Sequence, residues 1–428
     1  MARPRLSKTD RADSLIFSRS NLPGGARVVS ERMPNVLSAS IGFWIAVGSR
    51  DEPPEIQGAS HLLEHLLFKG TETRSARDIA EAFDSIGGEA NAFSAKEYTC
   101  FYARILNEDL PMAFETLGDM LTNAALRGSD LESERRVVLE EIAMRDDTPD
   151  DMVHELFAET LFGDHPLSRE VMGTAETVGR INTSDLKDFY KNNYQGPNLV
   201  IAAAGDVDHE RLVEWTENAF TTGKGPVSHR GTSVPSPARK RSVLVKESEQ
   251  AHIVLGGFGL PRHHPDRFAW GVLDDLLGGG NSSRLFQQIR EERGLAYSVF
   301  SYRSLFIDTG LWGLYAGTAP SNAEEVLKLL HAELDRLVDE GVSEHELKRA
   351  KGRSRGSLVL SLEDPGSRMS RLGRSELVHG EILSVEELLA RVEAVSLEDV
   401  SRIARQLLRE DNRFLTVVGP ASVSELGV

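Results

Sequence analysis

The sequence is poor in cysteine, has no long apolar run and carries fewer basic than acidic residues. Cys100 is the only cysteine among 428 residues, so neither a disulfide framework nor a thiolate metal site can form within the chain. No segment approaches the roughly 20 consecutive apolar residues of a membrane-spanning helix, and we expect no membrane segment. The formal net charge of −17 disfavours nucleic acid and anionic membranes as partners.

The N-terminal region lacks the features of a secretory signal. Its first 20 residues include four arginines and one lysine but no apolar segment of the kind that a signal peptide requires. We therefore expect a cytoplasmic protein. A chain of 428 residues is long enough for about two to four domains.

The most informative motif is His61-Leu62-Leu63-Glu64-His65. Residues four apart lie on one face of a helix, so the two imidazoles can point at one ion with Glu64 beside it. This arrangement is typical of a helix that binds zinc and holds a general base next to the attacking water. Its order is the inverse of the commoner H-E-x-x-H metallopeptidase motif. The alternative, a surface helix with two solvated histidines, agrees less well with the apolar residues around the motif.

A catalytic zinc site needs a third protein ligand, and acidic candidates lie on a predicted helix that starts near Ser129. Glu134 and Glu141 are seven residues apart and therefore share one face of that helix. Glu140 is the alternative to Glu141, because spacing alone does not exclude a shift by one residue.

These motifs resemble the pitrilysin/insulinase family of zinc peptidases, in the branch of the mitochondrial processing peptidase and its bacterial relatives. That family has a glutamate ligand at a comparable distance from the inverted motif; here 75 residues separate His65 from Glu141. The resemblance, which covers nearly the whole chain, implies one Zn²⁺ per chain bound by His61, His65 and Glu141. It also implies that Glu134 is a carboxylate that supports the metal ligands.

The sequence indicates an internal duplication. At an offset of 210 the motif helix aligns with a segment of the second half, in which His61 is replaced by Gly271 and His65 by Asp275. At an offset of 214, residues 198–205 align with 412–419, so only the first copy can bind the metal. We predict a metal-binding domain at 1–220, a linker rich in Gly, Ser, Pro and basic residues at 221–241, and a metal-free domain at 242–428.

The pattern of predicted elements indicates the fold class. Strand-like runs at 38–46, 91–106 and 200–204 are interleaved with long helices, which favours an α+β fold over a doubly wound parallel sheet. The family resemblance implies two homologous α/β domains, each with an antiparallel-rich sheet flanked by helices. It further implies that they form half of a clamshell around a cavity.

Two further segments bear on substrate binding. Residues 87–102 join a glycine turn to a predicted edge strand, to which a peptide can add as a further strand. In the family, the pair equivalent to Asn91 and Ala92 lies against the substrate backbone; the alternative is an ordinary edge strand with a turn asparagine. Ser94 stands where the family usually has threonine. His165 is interpreted as a loop anchor rather than a metal ligand.

The metal-free half contributes Arg290 and Tyr297. The three glycines at 278–280 precede a predicted helix but lack the Gly-Lys-Ser/Thr ending of a phosphate-binding loop. The resemblance implies instead that Arg290 and Tyr297 hold the substrate carbonyl oxygen, where both can donate to a developing oxyanion. The alternative is a helix-surface arginine and a core tyrosine.

Taken together, the resemblance implies a zinc metalloendopeptidase that hydrolyses unfolded oligopeptides in an enclosed chamber, with Glu64, Arg290 and Tyr297 as catalytic groups. Larger members of the family carry the metal and the Arg-Tyr pair in different halves of a much longer chain. A homodimer is therefore expected here. The alternatives are a presequence-processing subunit that acts with a metal-free partner and a non-catalytic scaffold of the same family.

Overall fold

The computed structural model describes residues 17–220, 230, 233 and 235–426. Most of the predicted linker at 221–241 lies outside the described residues, as do positions 1–16 and 427–428. The described residues separate into two compact units, each of which takes one segment from the other half of the chain. The first unit contains 17–139, 171–220, 230 and 360–384, and the second contains 140–170, 233, 235–359 and 385–426.

The first unit is built on a six-stranded sheet. Its strands are β1 (Phe17–Asn21), β2 (Arg27–Arg32), β3 (Ser38–Ile45), β4 (Glu89–Ser94), β5 (Thr99–Leu106) and β6 (Leu199–Gly205). They follow the order β1-β2-β6-β3-β5-β4, in which only β2 and β6 are parallel neighbours. Every residue of the central strand β6 is buried, because helices cover both faces of the sheet.

The second unit is built on a five-stranded sheet. Its strands are β7 (Arg241–Val245), β8 (Ala251–Gly259), β9 (Ala296–Leu305), β10 (Gly310–Thr318) and β11 (Phe414–Gly419). Their order is β7-β11-β8-β10-β9, with β7 and β11 parallel and the other neighbours antiparallel. This order repeats the order β2-β6-β3-β5-β4 of the first sheet. The prediction of an α+β fold with homologous, antiparallel-rich sheets is confirmed.

Helices surround both sheets. The helices of the described residues are α1 (Ala59–Leu67), α2 (Ala76–Asp84), α3 (Leu110–Thr122), α4 (Gly128–Asp146), α5 (Pro149–Phe162), α6 (Ala175–Arg180), α7 (Thr183–Asn193), α8 (His209–Ala219), α9 (Arg267–Leu277), α10 (Ala323–Asp339), α11 (Glu344–Ser361), α12 (Pro365–Arg374), α13 (Val385–Glu393) and α14 (Leu397–Leu407). Two short π-helical segments lie at Phe286–Glu291 and Ser375–His379. None of the helices in this part of the chain is long and apolar enough to cross a membrane.

Helix α12, from the second half of the chain, belongs to the core of the first unit. Its residues Met369 and Leu372 are buried against Trp44 of β3 and Val200 of β6. At Gly373 an added Cβ would overlap the Trp44 indole, so glycine permits the close approach of helix and strand. Helix α5, from the first half, packs reciprocally into the core of the second unit, where its Val153, Phe157 and Leu161 meet Val254, Phe414 and Val418.

The run 91–106, predicted to be a single strand, is instead a hairpin of β4 and β5. The chain reverses between Ala95 and Tyr98, whose backbone groups form a hydrogen bond of 2.8 Å. Within this turn the buried Glu97 accepts a 2.6 Å hydrogen bond from Arg50. The apolar pattern is similar on both sides of the turn, so it does not reveal the reversal.

Candidate active site

Helix α1 carries the His-x-x-Glu-His motif, and its N-terminus is fixed by a buried carboxylate. Gly58 precedes the helix with a φ of +95°, a conformation that glycine adopts without strain. The Glu52 carboxylate accepts hydrogen bonds from the backbone N–H groups of Gly58 (2.8 Å) and Ser60 (2.7 Å). These bonds satisfy helix-terminal donors, and the negative charge is favourable at this end of the helix.

The two faces of α1 differ in character. The leucines at positions 62, 63, 66 and 67 are buried, whereas His61, Glu64 and His65 are half-buried on the other face. Burial of the leucines orients the helix, so the three polar side chains are directed away from the core of the first unit.

The structure brings His61, His65 and Glu141 together. One donor atom of each lies within 4.8 Å of the others, and the described residues contain no second such group of His, Cys, Asp or Glu. The boundary between the units crosses α4, but α4 is one continuous helix, which fixes Glu141 relative to Glu134. Glu140, the alternative from the sequence, is exposed and is not part of the group.

The donor set suits zinc. Two imidazoles and one carboxylate are the usual protein ligands of a catalytic zinc site, and ligand atoms around one zinc lie roughly 3.4 Å apart. Donor atoms within 4.8 Å of one another therefore need only a small side-chain movement to share an ion. The residues present fit the metal that the family resemblance implies.

Glu134 holds one of the two histidines. Its Oε2 accepts a 3.0 Å hydrogen bond from His65 Nδ1, and its Oε1 is 2.7 Å from Lys69 Nζ. Burial raises the pKa of the Glu134 carboxyl, but the hydrogen bonds from Lys69 and His65 outweigh burial and hold the pKa below its ordinary value. A hydrogen bond from Nδ1 to a carboxylate favours the imidazole tautomer in which Nε2 carries the lone pair that a metal requires.

Glu64 is positioned from the edge strand. The Ser94 hydroxyl donates a 2.7 Å hydrogen bond to Glu64 Oε2. Asn91 and Ala92 lie on the same strand, β4, which is the edge of the first sheet, and Asn91 is exposed. The Asn91 Oδ1 accepts a hydrogen bond from the Ala92 N–H at 2.8 Å. The predicted peptide-binding pair is therefore located on an edge strand that also contacts the glutamate of the motif.

Arg290 and Tyr297 lie together in the second unit. The Arg290 guanidinium stacks on the Tyr297 ring at 4.5 Å and on the Phe286 ring at 4.8 Å from the centroids. Tyr297 lies on β9, the edge strand of the second sheet, and is 78% exposed. The alternative assignment of Tyr297 as a core residue is wrong, because its hydroxyl and ring project from the sheet edge into solvent.

The second unit fills the position equivalent to the metal site with arginines. An added Cβ at Gly271, which aligns with His61, would lie 3.0 Å from the Arg303 guanidinium. Asp275, which aligns with His65, accepts hydrogen bonds from Arg353 at 3.4 Å and from the Ser354 hydroxyl. In the second unit, arginine side chains thus lie beside the residues that align with the two histidines of α1.

His165 anchors a loop, as predicted. It is buried, and its Nδ1 accepts a 3.2 Å hydrogen bond from the backbone N–H of Leu167 at the start of a short 3₁₀ turn. It is not a member of the histidine and glutamate group.

Sequence reasoning missed three functional contacts: Ser94 to Glu64, Lys69 to Glu134, and Glu52 to the N-terminus of α1. Lys69 could have been considered, because it lies only four residues after His65, although it is two residues beyond the end of α1 at Leu67. The Ser94 and Glu52 contacts join residues that are distant or irregularly spaced in sequence, so no sequence pattern predicts them.

Comparison with known proteins identifies the family of the chain. The profile described as Insulinase (Peptidase family M16) matches residues 27–175, and the profile described as Peptidase M16 inactive domain matches residues 180–353. In fold, the chain is similar to a crystal structure of a peptidase M16 inactive domain from Pseudomonas fluorescens, with a TM-score of 0.89, 21% identity and coverage of 95% of this chain and 98% of the other.

Two relatives are named as zinc proteases. An uncharacterized zinc protease of Streptomyces coelicolor is 48% identical over 410 residues, which cover 94% of this chain and 89% of the relative. An uncharacterized zinc protease of Bacillus subtilis is 40% identical over 406 residues, which cover 95% and 99%. Identity of this level over nearly the full length, together with the two profiles, shows that the chain belongs to the insulinase family of zinc peptidases, peptidase family M16.

Proposed function

We propose that the protein is a zinc-dependent endopeptidase that cleaves unfolded oligopeptides in an enclosed chamber. The observation that carries the proposal is the group of His61, His65 and Glu141 with Glu64 on the same helix as the two histidines. A scaffold needs neither three converging donors nor a separately held carboxylate beside them. A cytoplasmic location is part of this proposal.

The metal would be held by His61, His65 and Glu141, with His65 oriented by Glu134. When bound, zinc supplies Lewis-acid polarisation of the attacking water and of the peptide carbonyl. Glu134 and Lys69 also compensate each other's charge, so the supporting carboxylate stays ionised and continues to accept the hydrogen bond from His65 Nδ1.

Glu64 is the proposed general base. Its carboxylate takes a proton from the attacking water and returns a proton to the nitrogen of the leaving amine. The Ser94 hydroxyl donates a 2.7 Å hydrogen bond to Oε2 of Glu64, which restricts the rotation of the carboxylate. The serine that replaces the family's usual threonine retains this donor.

The β4 edge would hold the substrate. A peptide that adds to this edge pairs its backbone with the strand next to Asn91 and Ala92. Only an unfolded segment can present a continuous backbone to the strand, so short, unfolded peptides are the proposed substrates. Folded proteins are expected to resist cleavage.

Arg290 and Tyr297 would complete the site from a second copy of the chain. A phenol O–H and a guanidinium are both able to donate to the oxyanion that forms when water attacks an amide. The exposure of Tyr297 and its stacking under Arg290 support a role in binding a partner or substrate rather than in the core. The proposed assembly is a homodimer.

The proposal is tested with Glu64→Gln. This variant retains every proposed metal ligand and removes the base, so we expect an unchanged zinc content and a loss of peptide hydrolysis of at least about 100-fold. Zinc is measured by elemental analysis, and hydrolysis with a fluorogenic peptide mixture. Glu140→Gln, an exposed carboxylate on the other site helix, is the matched control and should retain activity. Turnover by Glu64→Gln close to that of the wild type would exclude the mechanism.

A further inference from the structure

A cavity lies next to the β4 edge in the first unit. Its volume is about 620 Å³, and it is lined by residues of β3, β4 and β5 and by residues 364–379, which include α12. Cavities of this size accommodate a large side chain or a small ligand.

The cavity and the metal group lie on opposite faces of β4. Ser94 projects towards α1, since its hydroxyl bonds Glu64. Phe93 projects to the other face, where its ring lies 5.8 Å from the Trp44 ring and 6.3 Å from the Tyr102 ring. Because side chains alternate along a strand, Glu89 shares the face of Phe93, and both line the cavity.

This alternation has a consequence for a bound peptide. If a peptide adds to β4 as a further strand, its own side chains alternate between the two faces of the extended sheet. Every second side chain then projects to the face of Phe93 and the cavity. The cavity is therefore placed to contact substrate side chains that do not face α1.

Three of the charged side chains that line the cavity, Arg104, Asp364 and Arg371, have ion-pair partners, and the exposed Glu89 lies at the start of β4, four residues before Phe93. Asp364 accepts a 2.7 Å hydrogen bond from the Ser367 N–H at the start of α12 and lies 3.5 Å from Arg104. Arg371 is 3.1 Å from the buried carboxylate of Glu31. These groups have internal partners that a ligand would have to displace.

Arg374 differs from these groups. It is exposed at the end of α12, and its guanidinium lies 6.0 Å from the centre of the Tyr98 ring. Among residues 17–220 and 235–426, no carboxylate lies within ion-pair distance of it. The hydroxyls of Ser370 and Ser375 line the same cavity, so the lining near Arg374 offers hydrogen-bond donors beside a guanidinium.

We propose that this cavity is a specificity site for an acidic side chain of a bound peptide. Arg374 pairs with the carboxylate, and Phe93 and Tyr102 form the wall against the aliphatic stem. The proposal rests on the proposed function only in that the peptide is placed on β4. It does not require that the bound peptide be cleaved.

The test measures binding separately from cleavage. Zinc-loaded Glu64→Gln protein is titrated with fluorescent peptides of about ten residues, each carrying one Glu or one Lys at successive positions along an otherwise neutral, unfolded sequence. We expect the Glu peptide to bind about three- to tenfold more tightly than the Lys peptide at alternate positions, as one partly screened ion pair allows. In the Glu64→Gln/Arg374→Glu protein the preference should reverse at the same positions.

The matched control is Glu64→Gln/Arg77→Glu, which reverses an 85% exposed arginine on α2 and should leave the preference unchanged. Equal affinity for Glu and Lys peptides at every position, an acidic preference that survives Arg374→Glu, or failure of all peptides to bind would each overturn the specificity site. Wild-type cleavage without an acidic preference would leave the proposed function intact. Conversely, a reversible acidic preference in a wild-type protein that cleaves nothing would support the site and overturn the peptidase proposal.

Discussion

At the scale of single residues, the choice between Glu140 and Glu141 shows how one position on a helix decides a ligand. The two carboxylates are adjacent in sequence, but successive residues point about 100° apart around a helix. Only Glu141 shares a face with Glu134, and only Glu141 joins the two histidines in the structure.

We predict that Glu141→Gln loses zinc and activity together, whereas Glu140→Gln retains both. Removal of one of three ligands lowers zinc affinity because the amide does not replace the carboxylate charge. Equilibrium dialysis against a competing chelator measures the affinity of each purified variant. Zinc retained in Glu141→Gln but lost in Glu140→Gln would assign the third ligand to Glu140.

At the scale of elements, α12 requires a glycine that helix propensity alone would disfavour. Gly373 is buried where α12 crosses Trp44, and an added methyl group would overlap the indole. Gly356 in α11 has no atom within 4 Å of the position of an added Cβ. Both glycines lie inside helices. Replacement by alanine should therefore change the free energy of unfolding in opposite directions at the two positions, because only Gly373 is closely packed.

We predict that Gly356→Ala raises the free energy of unfolding by about 0.5–1 kcal/mol, through helix propensity and reduced unfolded-state entropy. Gly373→Ala should lower it by about 1–3 kcal/mol, because overpacking displaces α12 from the sheet. Urea denaturation followed by circular dichroism compares the two variants. A gain in stability for Gly373→Ala would contradict the packing described for α12.

Two histidine–tyrosine hydrogen bonds lie at the junction between α5 and the second sheet, one half-buried and one buried. His154 Nδ1 lies 2.9 Å from the Tyr302 hydroxyl, and His252 Nδ1 lies 2.9 Å from the Tyr315 hydroxyl. Burial lowers the pKa of both imidazoles, although the nearby Asp150 acts in the opposite direction. Both imidazoles are therefore favoured in the neutral form while the protein is folded.

The sign of the resulting pH dependence follows from proton binding. The unfolded chain, with histidine pKa values near 6.5, binds more protons than the folded chain below that pH. Stability should therefore fall as the pH decreases from about 7 towards the lowered pKa values. His154→Gln should reduce the slope of the free energy of unfolding against pH by at most about 1.4 kcal/mol per pH unit. Substitution of the exposed His345 by Gln is the control and should leave the slope unchanged. Urea midpoints between pH 5 and 8 measure both slopes, and identical slopes in the two variants would refute the assignment.

At the scale of the whole molecule, the two units of the duplicated chain carry different groups of candidate site residues. The first unit holds the two histidines proposed to bind the metal, and the second holds Arg290, Tyr297 and the aligned position at Gly271, which lies beside Arg303. The family resemblance implies that in larger members these parts belong to different halves of one longer chain. We therefore expect each active site of this protein to be completed by a second chain.

Subunit mixing tests this expectation. Glu64→Gln and Tyr297→Phe are each expected to give nearly inactive homodimers. If the site is completed in trans, half of the dimers in an equal mixture are mixed, and each contains one intact site, so about one quarter of wild-type activity returns. Exchange is verified by native mass spectrometry of differently tagged chains. No recovery after verified exchange would exclude completion in trans.

The sequence by itself determined the fold class and the candidate metal-binding motif. The His61–His65 pair and Glu64 are local, because a helix places residues three and four apart on one face regardless of tertiary context. The duplication was also detectable from the sequence, since repeated apolar patterns specify repeated strands and helices. The α+β class followed from these patterns.

Only the tertiary structure decided which distant groups meet. The hairpin at β4 and β5, the contact of Ser94 with Glu64 and the location of α5 and α12 in units built mainly from the other half of the chain each depend on long-range packing. Local sequence patterns record which residues are buried, but not which element buries them. Any apolar stripe of suitable width can cover a given sheet face, and the partner is chosen by side-chain volume and by buried charge pairs such as Glu31 with Arg371.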